Sequence, residues 1–175
     1  MGLELRYLLQ LLLIITIPET LIVTWFAFQF FGVNADRFVK KLALNALVSS
    51  PLLIASLGLS PPALHPFIAF AVLYLSLMLA FRDVDWKSLA FLAVVICILN
   101  MLAEYSLFFF SPIYGDVNLV LEGPFYYKMV IWPALALFAL VAWHMTKNRR
   151  SPGKRAMQYL QHERIIYKRA NNSFF

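Results

Sequence analysis

Residues 7–31 read YLLQLLLIITIPETLIVTWFAFQFF, with Ile14-Ile15-Thr16-Ile17-Pro18-Glu19-Thr20 at the centre. The run is long enough to cross the hydrocarbon of a bilayer, which takes about 20 apolar residues as a helix. Within it, Pro18 lacks a backbone donor and leaves the carbonyl of Ile14 without its helical partner, so a structural kink is predicted there. Glu19 places an ionisable group where ionisation is costly, and such groups face a bundle interior or a watery cavity. A lipid-crossing helix with a proline and a carboxylate at its middle implies other helices around it.

The rest of the composition agrees. Of 175 residues, 62% are hydrophobic and 14% charged, and the mean hydropathy is +0.74. A soluble domain is nearer half apolar and a quarter charged. The expected class is therefore an all-α integral membrane protein. The net charge of +6 is uneven, for eight of the fifteen Lys and Arg lie between Lys147 and Arg169. A basic segment beside a membrane points to anionic lipid headgroups rather than nucleic acid. Cys97 is the single cysteine, which excludes a disulfide framework or a cysteine metal cluster within the chain. The N-terminal run is too long for a cleavable signal and lacks a small-residue cleavage site.

Outward from the first run, five apolar segments cover roughly 8–31, 41–60, 65–81, 88–110 and 129–146, giving a bundle over 1–146 and a basic cytoplasmic tail over 147–175. With the N-terminus outside, the outer segments hold only Arg6 and Lys128. The inner ones hold Arg37, Lys40, Lys41, Arg82, Lys87 and the eight of the tail. The positive-inside bias selects N-out, C-in in a cell membrane. Aromatic residues gather at segment ends (Trp25 to Phe31, Trp86, Phe125 to Tyr127, Trp132), as at membrane interfaces. The loop Ser111–Lys128 carries Pro112, Gly115, Gly123 and Pro124 and reads either as a lid over the bundle or as a plain connector. In the tail, Lys147, Arg149, Arg150, Lys154 and Arg155 form a membrane-surface stretch broken by Pro152-Gly153, followed by Met157, Leu160 and Tyr167 at helical spacing.

At about 1.5 Å of rise per residue, Glu19 lies roughly 16 Å below the outer end of the first segment and Asn100 roughly 15 Å below that of the fourth. Ser49, Ser50 and Ser76 fall near the same level. Cys97, Asn100 and Glu104 share one helix face at i, i+3 and i+7. The candidate ligand-binding or proton-responsive set is Glu19, Ser49, Asn100 and Glu104, beside the Pro18 kink. The plainer account is interhelical bonding at about 0.6–2 kcal/mol per group.

Catalytic patterns are missing. An intramembrane aspartyl peptidase needs paired aspartates in the spans, whereas Asp36, Asp83, Asp85 and Asp116 all fall between segments. Cys97 has no histidine base at its depth. His65, among Pro61, Pro62 and Pro66, reads as a turn residue, and three scattered histidines give no metal spacing. The expectation is a protein that is not an enzyme and needs no cofactor or metal.

Ile17-Pro18-Glu19 in the first segment, Phe30-Phe31-Gly32-Val33 at its end followed by Lys40-Lys41, a Pro–His pair at the start of the third, and Ala103-Glu104 in the fourth form a recognisable order. Over residues 1–146 it resembles the membrane sensor module of accessory-gene-regulator-type, peptide-sensing histidine kinases of Gram-positive bacteria. The resemblance implies sensing at the outer face and signalling through the last helix and tail. Those kinases continue into a phosphoacceptor helical pair and an ATP-binding domain, neither of which lies in residues 1–175, so no kinase activity carries over. The expected role is a sensory or regulatory module acting on a partner membrane or cytoplasmic signalling protein, with homo-oligomers compatible with the sequence. A small transporter or substrate-capture subunit, or an accessory subunit of a larger complex, is the alternative.

Overall fold

Pro18 does not break the first helix; a widened turn meets it. In the computed structural model, α1 spans Leu8–Phe30, and its stretch Leu11–Thr16 is a π-helix, with Ile17 N–H donating to the carbonyl of Leu12, five residues back. The Thr16 hydroxyl follows the same spacing and donates to the Leu11 carbonyl at 3.3 Å. The register mismatch created by the missing proline donor is thus taken up over a full wide turn. Single-turn π segments of this kind occur disproportionately at functional sites.

The structure describes residues 8–33, 39–59, 64–82, 84–114, 131–148 and 150–158, with side chains omitted for 57–59 and 104–114. After α1 come α2 (Val39–Leu59), α3 (His65–Ala80), α4 (Trp86–Tyr114) and α5 (Trp132–Asn148), and no strand occurs among the described residues. Three helices are long and apolar enough to cross a membrane: Leu8–Phe30, Val39–Ser56 and Trp86–Ala103; His65–Ala80 is a shorter apolar helix. Two helix C-termini run past the sequence reading. Helix α4 continues through Ser111, Pro112 and Ile113 to Tyr114, because a proline near a helix C-terminus removes only one late hydrogen bond. Helix α5 continues to Asn148, so Lys147 belongs to the helix and not to the tail. The remainder of the Ser111–Lys128 loop lies outside the described residues.

Helix α1 is central, packing against α2, α4 and α5, while α3 packs against α2 and α4. Val23, Ala27 and Phe28 of α1 meet Leu73 and Leu77 of α3 and Leu92 and Ile96 of α4 in one core. The outward faces are also apolar: Leu44 and Leu47 on α2, Val94 and Ile98 on α4, and Leu137 and Leu140 on α5 are all exposed. Thr20, Thr24, Asn45, Ser49, Ser50 and Ser76 are buried instead. A polar-inside, oily-outside arrangement suits lipid, which offers no hydrogen-bond partners.

The end of the bundle where α1 stops is built of aromatic rings. Phe28 packs on Phe81 at 4.7 Å, Phe31 on Phe91 at 5.0 Å and Phe26 on Phe138 at 5.1 Å between centroids. Gly32 ends α1 with φ +75°, a left-handed conformation that costs a side-chain-bearing residue more than glycine. Its N–H donates to Gln29 (3.2 Å) and that of Val33 to Phe28 (2.8 Å), the paired bonds of a Schellman stop. Nearby, Asp85 caps α4 by accepting from Ser88 N–H at 3.2 Å, satisfying one of the orphan donors of a helix start.

The described part of the tail docks at this same end. Gly153 N–H donates to the Phe30 carbonyl at 2.9 Å, one of the acceptors the end of a helix leaves open. The approach demands glycine: a Cβ at 153 would lie 2.6 Å from Cδ1 and 2.7 Å from Cε1 of Phe31. Met157 is buried in the main core, whereas Leu160 and Tyr167 of the predicted stripe lie outside the described residues.

Candidate functional site

Three threonines four residues apart, Thr16, Thr20 and Thr24, lie on one face of α1. On α2, Asn45, Ser49 and Ser50 are buried. The Ser50 hydroxyl lies 3.2 Å from the Thr16 carbonyl and 3.4 Å from Thr20 Oγ1, fixing how α1 and α2 sit against each other. It meets α1 at the end of the π segment, where the backbone is least regular. Pro51, the next residue, removes a donor from α2 as well, so a serine–threonine contact joins two proline-modified stretches.

From α2 the polar seam passes to α3. Ser76 Oγ lies 2.7 Å from Asn45 Oδ1 and 2.9 Å from the Leu73 carbonyl, and its one proton serves either acceptor. Toward the other end of α2, Ser56 Oγ donates to Leu53 at 2.7 Å and stands 3.4 Å from His65 Nδ1. As the numbers rise along α2 from Asn45 to Ser56 they fall along α3 from Ser76 to His65, so the helices are antiparallel and joined at two heights.

Two buried groups in the seam have no hydrogen-bond partner: Thr24 Oγ1 and Asn45 Nδ2. Their residues are 0% and 1% exposed. The buried interior therefore holds an open donor and an open hydroxyl. Unmade hydrogen bonds at buried sites cost about 1–3 kcal/mol.

The predicted site residues are distributed around this seam. Glu19 is half-buried on α1, preceding the seam residue Thr20. Ser49 is fully buried, but its hydroxyl donates within its own helix to the Asn45 carbonyl at 2.7 Å. Asn100 is half-buried on α4, and its Oδ1 has no hydrogen-bond partner. Glu104 lies on the described backbone of α4, with its side chain outside the described set. Side-chain hydrogen bonds thus join α1, α2 and α3, three of the four helices expected to share a polar layer. Thr20, Thr24 and Asn45 were not singled out from sequence, although the four-residue spacing of the threonines and the i, i+4 pair Asn45 and Ser49 carried the signal. Among the described residues, no three His, Cys, Asp or Glu side chains come together to hold a metal.

At the end of the bundle where α1 stops, Lys147, Arg150, Lys154 and Arg155 are exposed, and Arg149 is outside the described residues. Lys147 Nζ lies 5.3 Å from the Trp143 ring centroid and Lys87 Nζ 5.9 Å from that of Trp86, within cation–π range.

Comparison with protein families, curated proteins and solved structures finds no match. The residues alone carry the functional reading.

Proposed function

We propose that the chain is a membrane-embedded sensory or regulatory module of the cell membrane, crossing five times with its N-terminus outside and its basic tail inside. Glu19, Ser49, Asn100 and Glu104 line or border the responsive layer. Binding or protonation there biases the packing of α1 around its π segment and Pro18. The single observation carrying this reading is that α1 joins two regions: it bears the Ser50–Thr16/Thr20 contact at its middle and the docked tail at its end. A shift of a packed helix is a physical route from one region to the other, and it requires two discrete arrangements with different affinity for the stimulus. Readout falls to a partner membrane or cytoplasmic signalling protein that meets the tail.

The resemblance to the sensor modules of peptide-sensing kinases supports the same direction of signalling, without their catalytic parts. A solute-capture subunit is the second reading, favoured by the open Asn45 donor and Thr24 hydroxyl, since a polar solute has something to bind there.

The test is the charge-removing pair Glu19→Gln and Glu104→Gln in the full chain. A sensory module keeps its partner in detergent co-purification and loses its response. A capture subunit loses uptake instead. If the double variant leaves partner binding, response and uptake all unchanged, the layer has no functional role.

A further inference from the structure

Among the described residues, the cations that the docked tail brings together show no ion pair with a carboxylate. Exposed Lys40, Lys147, Arg150, Lys154 and Arg155 gather at the end of the bundle where α1 stops. Lys154 lays its stem on Gly32, with Cγ 3.1 Å and Cβ 3.3 Å from where a Cβ on that glycine would stand, beside the end of α1. Against the mutual repulsion of these cations, the tail is held by the Gly153–Phe30 bond and the burial of Met157. We propose that anionic phospholipid headgroups supply counter-charge to these cations, so that the surface charge of the bilayer sets how firmly residues 150–158 grip the end of α1.

Two further observations favour a lipid surface as the occupant. Trp86–Lys87 at the start of α4 and Trp143–Lys147 at the end of α5 each pair an exposed tryptophan with an exposed lysine. Such amphipathic pairs sit at the headgroup level, and both mark the end at which the tail docks. The cations are also spread around that end from α2, α5 and the tail, as a plane of headgroups demands and a single small anion does not. This inference rests on the proposed membrane topology, which puts the docked tail at the bilayer surface, and it names the regulator of the readout pole.

Each basic residue at an anionic surface is worth about a five-fold shift in binding. Arg150, Lys154 and Arg155 together then shift the docking equilibrium on the order of 100-fold. The experiment is amide hydrogen exchange of the full wild-type chain in nanodiscs of phosphatidylcholine alone, or of an equal mixture with phosphatidylglycerol. The peptide spanning 150–158 is followed, because the Gly153 N–H is bonded only while the tail is docked. Exchange there is expected to slow about 10- to 100-fold in the anionic bilayer. The triple variant Arg150→Gln, Lys154→Gln, Arg155→Gln should lose that difference while the amides of α1 keep their protection, showing that the bundle is still folded. Equal exchange in the two bilayers overturns the proposal. So does equal slowing by free phosphate or an acidic peptide added to the neutral nanodisc, which would assign the surface to a soluble anion. Either failure leaves the sensory reading standing, since that is decided separately by the Glu19→Gln, Glu104→Gln pair.

Discussion

The two poles of this bundle are held by different physics. Between α1, α2 and α3, contact is made by hydroxyls and an amide, with Ser50 reaching Thr16 and Thr20 and Ser76 reaching Asn45. Where α1 ends, it is made by ring on ring, Phe28 on Phe81 and Phe31 on Phe91, with a glycine of the tail fitted beneath. The hydrogen-bonded pole is directional but individually weak, and in membranes such bonds average about 0.6 kcal/mol. The aromatic pole is strong and intolerant of added volume. A molecule built this way can readjust at its seam while its other end stays assembled.

The sharpest way to break the contrast is at Phe28, which is fully buried against Phe81. Phe28→Ala should cost about 3–5 kcal/mol, the range for emptying a phenylalanine site in a packed core. Thermal unfolding in detergent measures it. A loss below that of any single seam substitution would refute the assignment of strength to the aromatic pole.

Next in size is Gly153→Val. The added side chain must displace Phe31, whose ring stands 2.6 Å from the new Cβ position, and overpacking of this kind costs about 1–3 kcal/mol. The tail has an easier escape than the core, for it can leave. The expected signature is fast exchange over 150–158 with the α1 amides unchanged. Slowed or unaltered exchange there would show that the tail is not clamped by this contact.

Reading order along the chain explains what was legible. The helical class and the positions of the helices follow from apolar runs and are seen in residues 8–59 and 64–148 as far as these are described. The tail's docking was invisible, because a Pro-Gly pair flanked by cations looks like a solvated linker until Phe30 and Phe31 are found above it. The seam was half visible. Depth counting brought Ser49, Ser50 and Ser76 to one level, but depth says nothing about azimuth. Ser49 and Ser50 are adjacent on α2 and so point about 100° apart, which is why only Ser50 crosses to α1. The π segment, by adding a residue to a turn, also shifts every face of α1 beyond it, an effect no 3.6-residue pattern reports.

At the seam itself the effects turn smaller, and one reverses sign. Thr24 keeps a buried hydroxyl with no partner, so the near-isosteric Thr24→Val removes a desolvated polar group without opening a cavity. Replacement of an unsatisfied group by an apolar one of the same shape is neutral to stabilising. A gain of about 1 kcal/mol is expected. A loss of that size would mean the hydroxyl is occupied in the membrane, by water or by a bound solute, and would move weight to the capture reading.

The smallest effect is the most diagnostic. Ser76 has two acceptors, Asn45 Oδ1 at 2.7 Å on α2 and the Leu73 carbonyl at 2.9 Å in its own helix. When Asn45 is replaced by alanine, the Ser76 proton therefore retreats to Leu73 and is not stranded. The same substitution also removes the unpartnered Nδ2, which offsets part of the lost bond and the lost volume. A double-mutant cycle on Asn45→Ala and Ser76→Ala should accordingly give a coupling near the membrane average of about 0.6 kcal/mol, not the upper value of about 1.7. A coupling at the upper value would mean that the retreat to Leu73 is blocked and α2 and α3 are locked together. The seam would then be as rigid as the aromatic pole, and a mechanism that depends on its yielding would lose its physical basis.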